Sequence, residues 1–397
     1  MFAMIDPPDR STSLKPFTVS ISEAVLADLS RRLAATRWPS PAPGAPWRWG
    51  TDSTFLQSLV LHWLGRFDWR EWESRLNGYP QYIATLSGIE VHVLVERGSG
   101  TRPLPIILSH GWPGSVFELL DLIEPLAHPE RFGGSTDDAF TVVLPSLPGF
   151  GFSPAPDRVL APADVAQLWH RLMTEYLGFD RYVAHGGDTG AAITSWLGLR
   201  QRDSLPAIHL NTSVLQAGWS LERQPPDIEE MDFFQTQQAR LAGEDAYQHI
   251  HAEKPATLAF GLRDSPVGLA AWIVEKYHGW TDPAAPGVPG IGLDALIANI
   301  MAYWVGTFEP VHWMYQSLQN FAGYTLPPGQ RVETPTGFCL FPNDIVVPPP
   351  RRWLERAYNV AAVTRAPTGG HFPGLENCDL LVADIREFFR PFRRNLP

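Results

Sequence analysis

The sequence has little cysteine, no excess of positive charge and no long apolar run, and each absence excludes a class of protein. Two cysteines among 397 residues, Cys339 and Cys378, are too few for a disulfide framework or a multi-cysteine metal site, which predicts free thiols in a reducing compartment. Lys and Arg number 31 against 42 Asp and Glu, a net charge of −11, so binding to nucleic acid or to an anionic membrane surface is not expected. No apolar run approaches the ~18 residues of a membrane span, and the first residues lack a signal-peptide pattern. We therefore expect a cytoplasmic protein.

The composition that remains is globular and rich in turn-forming residues. Apolar residues make up 44% of the chain and charged residues 18%, which excludes a disordered protein. The 38 prolines and 33 glycines are scattered along the chain, and this distribution predicts many tight turns in a compact body. Fifteen tryptophans suit either a large apolar cavity or a densely packed core.

From Gly88 onward, short β-rich runs alternate with helical stretches. The runs cover residues 89–96, 105–110, 140–146, 181–186, 207–213, 336–341 and 361–367. Buried strands that alternate with helices predict an α/β fold, in which a mostly parallel sheet is covered by helices on both faces. Ligands of such sheets bind at the carboxyl ends of the strands.

This alternation divides the chain into four parts. Residues 1–87 are predicted to form a helical extension without a sheet of its own that wraps the core. Residues 88–213 and 326–397 are the two parts of the α/β core. Residues 214–325 are mostly helical, and an insertion of that size between two strands predicts a lid over the strand ends.

The segment His-Gly-Gly-Asp-Thr-Gly at 185–190 follows one predicted strand and precedes a predicted helix. Gly186 and Gly190 flank Asp188 in the pattern of a nucleophile elbow, a tight turn whose usual central residue is Ser. On this motif alone, an ordinary turn with Asp188 as the helix N-cap has about equal weight. A carboxylate is already an anion at neutral pH, so it can attack a saturated carbon directly and form an alkyl ester. The leaving group would then be an epoxide oxygen or a halide.

The segment Ser-His-Gly-Trp-Pro-Gly-Ser at 109–115 lies between a predicted strand and a predicted helix. In that place of the strand order, backbone N–H groups can point at a developing oxyanion. The predicted donors are the N–H groups of Trp112 and of Thr189, the residue after the candidate nucleophile. A purely structural turn is the alternative.

A base and an acid are predicted from the last two strands. Gly-Gly-His-Phe at 369–372 puts His371 on a loop after the last strand, where this order of motifs expects the base. Asp344 follows the preceding strand and would fix the tautomer of His371 and stabilise its cation. Glu376 is a weaker candidate for the acid, because it belongs to the first turn of the next predicted helix.

Two tyrosines of the predicted lid, Tyr247 and Tyr315, are candidates for the group that receives the leaving oxygen. A phenol with a pKa of about 10 can hydrogen-bond to an epoxide oxygen and protonate it as the ring opens. Their position alone does not distinguish these two residues among the ten tyrosines of the chain.

Several segments together carry a specific resemblance: residues 67–82, 110–115, 142–153, 186–190, 264–280, 334–344 and 369–372. They resemble the epoxide hydrolases related to the microsomal and fungal soluble enzymes, and the resemblance covers nearly the whole chain. It implies an α/β-hydrolase fold, with Asp188 as nucleophile, Asp344 as acid and His371 as base. It also assigns the lid tyrosines to Tyr247 and Tyr315. The expected partners are a small-molecule epoxide and water, no metal or organic cofactor is expected, and a homodimer is possible.

The chain departs from many of these relatives at Thr189, where they carry Trp. Only the backbone N–H is needed for the oxyanion hole, so the change concerns the wall of the pocket. We expect this pocket to include Trp112, Pro113 and Phe150. The lid also contributes aromatic residues that favour an apolar or aryl epoxide: Trp272, Tyr277, Trp280, Trp304, Phe308 and Trp313.

Two other functions compete with epoxide hydrolysis. A haloalkane dehalogenase would use the same Asp and His, but such enzymes commonly bind the halide with the indole N–H that Thr189 lacks. A hydrolase-fold protein that binds a ligand without catalysis is disfavoured, because the nucleophile, acid, base and oxyanion loop are all present. A serine esterase is disfavoured because the elbow contains Asp188 instead of Ser.

Overall fold

The computed structural model describes residues 14–214, 225–283, 291–307, 311–317 and 323–395. Within these residues a nine-stranded sheet forms, in the order β1-β2-β3-β5-β4-β6-β7-β8-β9. The strands are β1 Leu14–Pro16, β2 Gln81–Leu86, β3 Ile89–Glu96, β4 Leu104–Ser109, β5 Phe140–Pro145, β6 Val183–Gly186, β7 Ile208–Leu210, β8 Val332–Leu340 and β9 Tyr358–Arg365. Neighbouring strands from β5 to β9 are parallel, whereas β1, β2 and β3 join the sheet antiparallel. The predicted α/β class is confirmed.

The seven strands predicted after residue 88 correspond to β3 through β9. Every residue of β4 and β5 is buried, in keeping with their continuous apolar sequences. Central strands of a parallel sheet have both faces covered, so they need no polar alternation. The ends of β4 and β6 therefore lie deep in the molecule, and the loops that follow them begin at well-packed strand ends.

The N-terminal part, predicted to be helical and without a sheet of its own, contributes two strands to the edge of the core sheet. Strand β2 pairs with β3 along its whole length, and β1 pairs with the other edge of β2. Ser87 and Gly88 form the turn between β2 and β3, with φ of 50° and 80°. A Ser-Gly pair between two β-rich runs is a signal for a two-residue hairpin, and the helical character of the preceding segments obscured it.

Helices cover the sheet and make up most of the predicted lid, residues 214–325. They are α1 Glu23–Ala34, α2 Ser53–Gly65, α3 Trp69–Asn77, α4 Val116–Ala127, α5 Pro162–Arg171, α6 Thr189–Arg200, α7 Ile228–Leu241, α8 Ala246–Glu253, α9 Pro255–Asp264, α10 Pro266–Trp280, α11 Leu293–Val305, α12 Val311–Gln316, α13 Arg351–Ala357, α14 Pro373–Glu376 and α15 Cys378–Phe389. Helix α5 packs on α6, which packs against the sheet, and α4 and α15 pack on each other and against the sheet. In the described part of the chain, no helix is both long and apolar enough to cross a membrane.

The N-terminal helices pack on the lid. Helices α1 and α2 contact α10, and α2 also contacts α11. The hydroxyl of Thr51 donates to the carbonyl oxygen of Ala271 at 2.6 Å, and the ring of Trp47 stacks on that of His278 with centroids 3.8 Å apart. Helices α7 to α12 lie between β7 and β8 in the chain, where the lid was expected. The four-part division of the chain itself stays a prediction.

Candidate active site

The turn between β6 and α6 presents Asp188. Its backbone has φ 50° and ψ −131°, which side-chain-bearing residues adopt only when the surroundings enforce it. A Cβ atom on Gly190 would lie 2.0 Å from the carbonyl oxygen of Ser109, and one on Gly186 would lie 2.2 Å from the carbonyl oxygen of Gly190. Both positions therefore require glycine. The side chain of Asp188 accepts no hydrogen bond from the second or third N–H of α6, as an N-cap would, so the ordinary N-cap alternative does not describe this residue.

The two oxygens of the Asp188 carboxylate have different partners. Oδ1 accepts a hydrogen bond from the N–H of Trp112 at 3.0 Å, and the N–H of Thr189 also bonds to the carboxylate. Oδ2 lies 3.3 Å from Nε2 of His371. Burial alone would raise the pKa of Asp188, but the contacts with His371 and with the two amides outweigh it and hold the pKa below its usual value. Asp188 is therefore an anion at neutral pH.

The imidazole of His371 is held between two carboxylates. Its Nδ1–H donates to Oδ1 of Asp344 at 2.6 Å, while Nε2 faces Asp188. The same oxygen of Asp344 accepts the N–H of Val346 at 3.0 Å, which fixes the carboxylate in the turn after β8. Burial opposes a positive charge on His371, but the negative charges of Asp344 and Asp188 prevail and hold its pKa well above the usual value.

The loop that carries His371 is bound to the end of lid helix α10. The N–H of His371 donates to the carbonyl oxygen of Trp280 at 2.8 Å, and the N–H of Gly369 donates to Oδ2 of Asp282 at 2.9 Å. The N–H of Asp282 in turn donates to Oε2 of Glu376 at 2.8 Å. Glu376, the weaker candidate for the acid, is thus part of the loop anchor and not the partner of the imidazole.

Tyr247 on α8 and Tyr315 on α12 lie together in the cleft of Asp188. Their ring centroids are 5.6 Å apart, and the indole of Trp112 stacks on Tyr247 at 4.8 Å and meets Tyr315 edge-on at 5.8 Å. Burial raises the pKa of both phenols, and the negative charge of Asp188 raises it further. Both hydroxyl groups are therefore protonated at neutral pH and able to donate a hydrogen bond.

The three residues predicted to line the pocket take two different places. Trp112 is buried among the lid rings and so forms a wall of the cleft. Pro113 follows it through a cis peptide bond in the same loop. Phe150 is fully buried behind that loop, where its ring packs against His110 at 5.6 Å and Tyr303 at 6.2 Å.

The side chain of Thr189 has a partner that the sequence did not indicate. Its hydroxyl lies 3.0 Å from the hydroxyl of Tyr324, and both side chains are buried. The negative charge of Asp188 contributes to the raised pKa of Tyr324, after burial, so this phenol also belongs to the electrostatic surroundings of the nucleophile. Tyr324 lies just before the chain returns to the core, in a stretch without a recognisable motif.

Two further lid residues border the cleft. His251 follows Tyr247 by one helical turn, its ring lies 4.8 Å from that of Trp112, and its Nε2 accepts the indole N–H of Trp272 at 3.0 Å. Lys276 is buried, with its ammonium 4.6 Å from the centroid of the Tyr247 ring. The spacing of four between Tyr247 and His251, which puts both on one face of a helix, was a usable signal that the sequence reasoning missed.

The remaining lid aromatics do not all reach the site. Trp280 meets the imidazole of the candidate base edge-on at 5.1 Å and so forms part of the cleft wall. Tyr277 stacks on a ring of the base-carrying loop at 4.0 Å, and Trp304 lies 6.0 Å from a guanidinium of α1, so both are packing residues. Phe308 and the side chain of Trp313 lie outside the described residues.

The arrangement combines an anionic carboxylate, two amide donors, an imidazole between carboxylates and two protonated phenols in an aromatic cleft. In the described stretches, no three His, Cys, Asp or Glu side chains are grouped so as to hold a metal ion. These groups are suited to attack on a carbon that bears an oxygen leaving group, followed by hydrolysis of an ester.

Comparison with known proteins identifies the family. Residues 14–119 match the family described as epoxide hydrolase N terminus, and residues 105–260 match the alpha/beta hydrolase fold. Epoxide hydrolase 1 of Oryctolagus cuniculus is 31% identical to this chain over 404 residues, which cover 95% of this chain and 88% of the relative. This chain belongs to the epoxide hydrolase family.

Solved structures of other epoxide hydrolases share the fold along nearly the whole chain. The Aspergillus niger epoxide hydrolase is 30% identical, with a TM-score of 0.81 and coverage of 96% of each chain. The juvenile hormone epoxide hydrolase of Bombyx mori is 28% identical, with a TM-score of 0.84 and coverage of 97% of this chain and 96% of the other. The expected α/β-hydrolase fold is confirmed, and the protein is an enzyme that hydrolyses epoxides.

Proposed function

We propose that this epoxide hydrolase works in two steps through a covalent ester on Asp188. The observation that carries the proposal is the asymmetry of that carboxylate: the N–H of Trp112 binds Oδ1, while Oδ2 lies 3.3 Å from the imidazole of His371, and the N–H of Thr189 adds a second amide bond to the carboxylate. Oδ2 attacks one epoxide carbon, and the electron pair of the broken C–O bond goes to the ring oxygen. Tyr247 and Tyr315 bind that oxygen, and one of them protonates it.

The second step needs a base, and the charges around His371 explain how it becomes one. In the resting enzyme, burial would lower the pKa of His371, but the negative charges of Asp344 and Asp188 outweigh burial and hold this pKa well above the usual value. Esterification removes the charge of Asp188, so the pKa of His371 falls. The proton it loses restores the phenol that protonated the ring oxygen. The imidazole is then free to accept a proton from water.

Hydrolysis returns the enzyme to its starting state. Water adds to the ester carbon while its proton passes to Nε2 of His371, and the carbonyl electron pair moves to Oδ1. The amides of Trp112 and Thr189 bind this oxyanion; losing one such donor costs about 3–4 kcal/mol in related sites. Collapse of this tetrahedral intermediate breaks the bond between the ester carbon and Oδ2. Oδ2 leaves as part of the vicinal diol and takes its proton from the carboxylic acid that has formed on Asp188. The oxygen atom of the water stays on Asp188.

The proposed substrate class is an apolar or aryl epoxide, since aromatic rings form the walls of the cleft at Trp112, Tyr247, Trp280 and Tyr315. The two phenols of Tyr247 and Tyr315 suit an alkoxide leaving group better than a halide, and Thr189 offers no indole. A homodimer and a cytoplasmic location stay predictions.

A single turnover of styrene oxide in ¹⁸O-water tests the covalent route. We expect ¹⁸O in the peptide that contains Asp188 and none in the diol. His371→Gln should form the ester and fail to hydrolyse it, so that intact-protein mass spectrometry shows an adduct of one substrate. Asp188→Ala should make no diol, while Asp180→Ala, at an exposed aspartate, should match the wild type.

The opposite isotope pattern would contradict the proposal. Label in the diol and none on Asp188 would mean direct attack by water. Halide release from a chloroalkane panel, without any diol from styrene oxide, would instead favour the dehalogenase.

A further inference from the structure

One helix of the lid is hydrogen-bonded to the loop that presents the Trp112 amide. Asn299 and Tyr303 lie four residues apart on α11, which puts their side chains on one face of the helix. Both are fully buried. Neither residue belongs to a motif of the sequence.

The contacts bind three consecutive residues of the loop. Nδ2 of Asn299 donates to the carbonyl oxygen of Pro113 at 2.7 Å, and the hydroxyl of Ser115 donates to Oδ1 of Asn299 at 2.7 Å. The hydroxyl of Tyr303 donates to the carbonyl oxygen of Gly114 at 2.5 Å. Each of the three residues after Trp112 thus has a backbone carbonyl or a hydroxyl that is hydrogen-bonded to a buried side chain of α11. These bonds lie outside the hydrogen-bond ladders of the strands and helices.

The loop needs this support because it lies against the nucleophile. A Cβ atom on Gly111 would lie 2.0 Å from Oδ1 of Asp188, so the chain passes there with no room to spare. The N–H of Trp112 reaches the same oxygen at 3.0 Å. Hydrogen bonds weaken steeply as their geometry departs from this range, so a small shift of residues 113–115 would weaken the donor.

We propose that Asn299 and Tyr303 are positioning residues that hold the Trp112 amide on Oδ1 of Asp188. Helix α11 of the lid thereby sets the geometry of the oxyanion hole. This inference rests on the proposed ester mechanism, in which Oδ1 becomes the oxyanion.

The two steps of the mechanism depend differently on the hydrogen bond from the Trp112 N–H to Oδ1. During attack on the epoxide, Oδ1 loses negative charge as the ester forms, so a weaker donor costs that step little. During hydrolysis, Oδ1 gains a full negative charge, so the same weakening raises the barrier. A displaced donor should therefore slow hydrolysis selectively, and the ester should accumulate.

The test variant is Tyr303→Phe, which removes one hydroxyl and keeps the ring. Since complete loss of an oxyanion donor costs about 10²–10³ in rate, we expect a displaced donor to slow ester hydrolysis by about tenfold. Alkylation measured by rapid quench with styrene oxide should stay within about twofold of the wild type. Because the second step then limits turnover, kcat and KM should fall together, and the ester adduct should be visible by mass spectrometry in the steady state.

Tyr182→Phe is the matched control. It also removes a buried hydroxyl, one that lies 3.0 Å from Nδ1 of His170 away from the site, and it should leave both steps unchanged. Asn299→Leu removes two of the three loop contacts and should strengthen the effect. If that variant does not fold, Tyr303→Phe decides alone.

Equal slowing of both steps in Tyr303→Phe, or wild-type rates for both, would overturn the positioning role. Failure of the underlying mechanism has a different signature: no ester would then form in His371→Gln either. An ester in His371→Gln without accumulation in Tyr303→Phe would reject only the role of α11.

Discussion

Glu118 predicts a specific dependence of stability on pH. This carboxyl group lies in the first turn of α4, its residue is 7% exposed, and burial raises its pKa to about 8 from the usual 4.5. The charges of Asp188 and Glu376 raise it further, and His371 opposes them. Ionising Glu118 is therefore harder in the folded protein than in the unfolded chain. Its protonated form favours the folded state fully below about pH 4.5, and this stability is lost as the pH rises toward 8.

The size of the effect follows from the shift. Between pH 5 and pH 8 the unfolded chain has released this proton while the folded protein still retains much of it. One proton of difference changes the free energy of unfolding by 1.36 kcal/mol per pH unit, so the loss is on the order of 3 kcal/mol. Glu118→Gln puts a neutral side chain of the same shape in its place and removes this dependence.

Urea denaturation followed by tryptophan fluorescence at pH 5, 6.5 and 8 measures the difference. We expect the free energy of unfolding of Glu118→Gln, relative to the wild type, to increase by on the order of 3 kcal/mol from pH 5 to pH 8. Glu90→Gln, at an exposed position of β3, is the control and should follow the wild type at every pH. A constant difference between Glu118→Gln and the wild type across this range would refute the reasoning.

Two further predictions concern the ion pair between α7 of the lid and α13 of the core, and the turn that carries Asp188. Arg356 on α13 and Glu230 on α7 form a buried ion pair, with side chains 5% and 0% exposed, so Arg356→Ala should cost about 3–5 kcal/mol in urea denaturation. Arg352→Ala, at an arginine whose side chain is 66% exposed, should cost less than about 1 kcal/mol, and equal losses would contradict the argument. Gly190→Ala should abolish diol formation, because its Cβ would lie 2.0 Å from a backbone oxygen of β4, whereas Gly261→Ala, with open space around it, should keep wild-type rates. Normal turnover by Gly190→Ala would show that the turn tolerates the side chain.

Some of this structure could be predicted because the signals are local. Asp188, Asp344 and His371 lie on the connections that follow β6, β8 and β9, and the carboxyl ends of parallel strands meet at one edge of the sheet. Their proximity therefore follows from the order of the strands and from the short turns after them. The glycines around Asp188 carry a similar signal, because a tight turn that approaches another backbone excludes a Cβ atom.

Other contacts could not be predicted because they depend on how the lid docks. Asn299 and Tyr303 lie far along the chain from the loop they bind, and nothing near them marks their partners. Tyr324 reaches Thr189 only after the whole lid has been traversed. Strand β1 has a comparable origin, since three residues of ordinary composition become a strand by pairing with β2.

The lid contacts constrain how this enzyme can open. Helix α10 and Asp282, just after its end, bind the loop of His371 through two hydrogen bonds, and α11 binds the loop of Trp112 through three. Each such bond contributes about 1 kcal/mol, and leaving its groups unpaired in a buried place costs about 1–3 kcal/mol. Removal of both helices from the core as one rigid body would therefore cost at least several kcal/mol, unless water replaced every partner. Such a movement would also displace the proposed base, His371, and the proposed oxyanion donor, the N–H of Trp112, together, so in the proposed mechanism α10 and α11 support the catalytic groups as well as cover them.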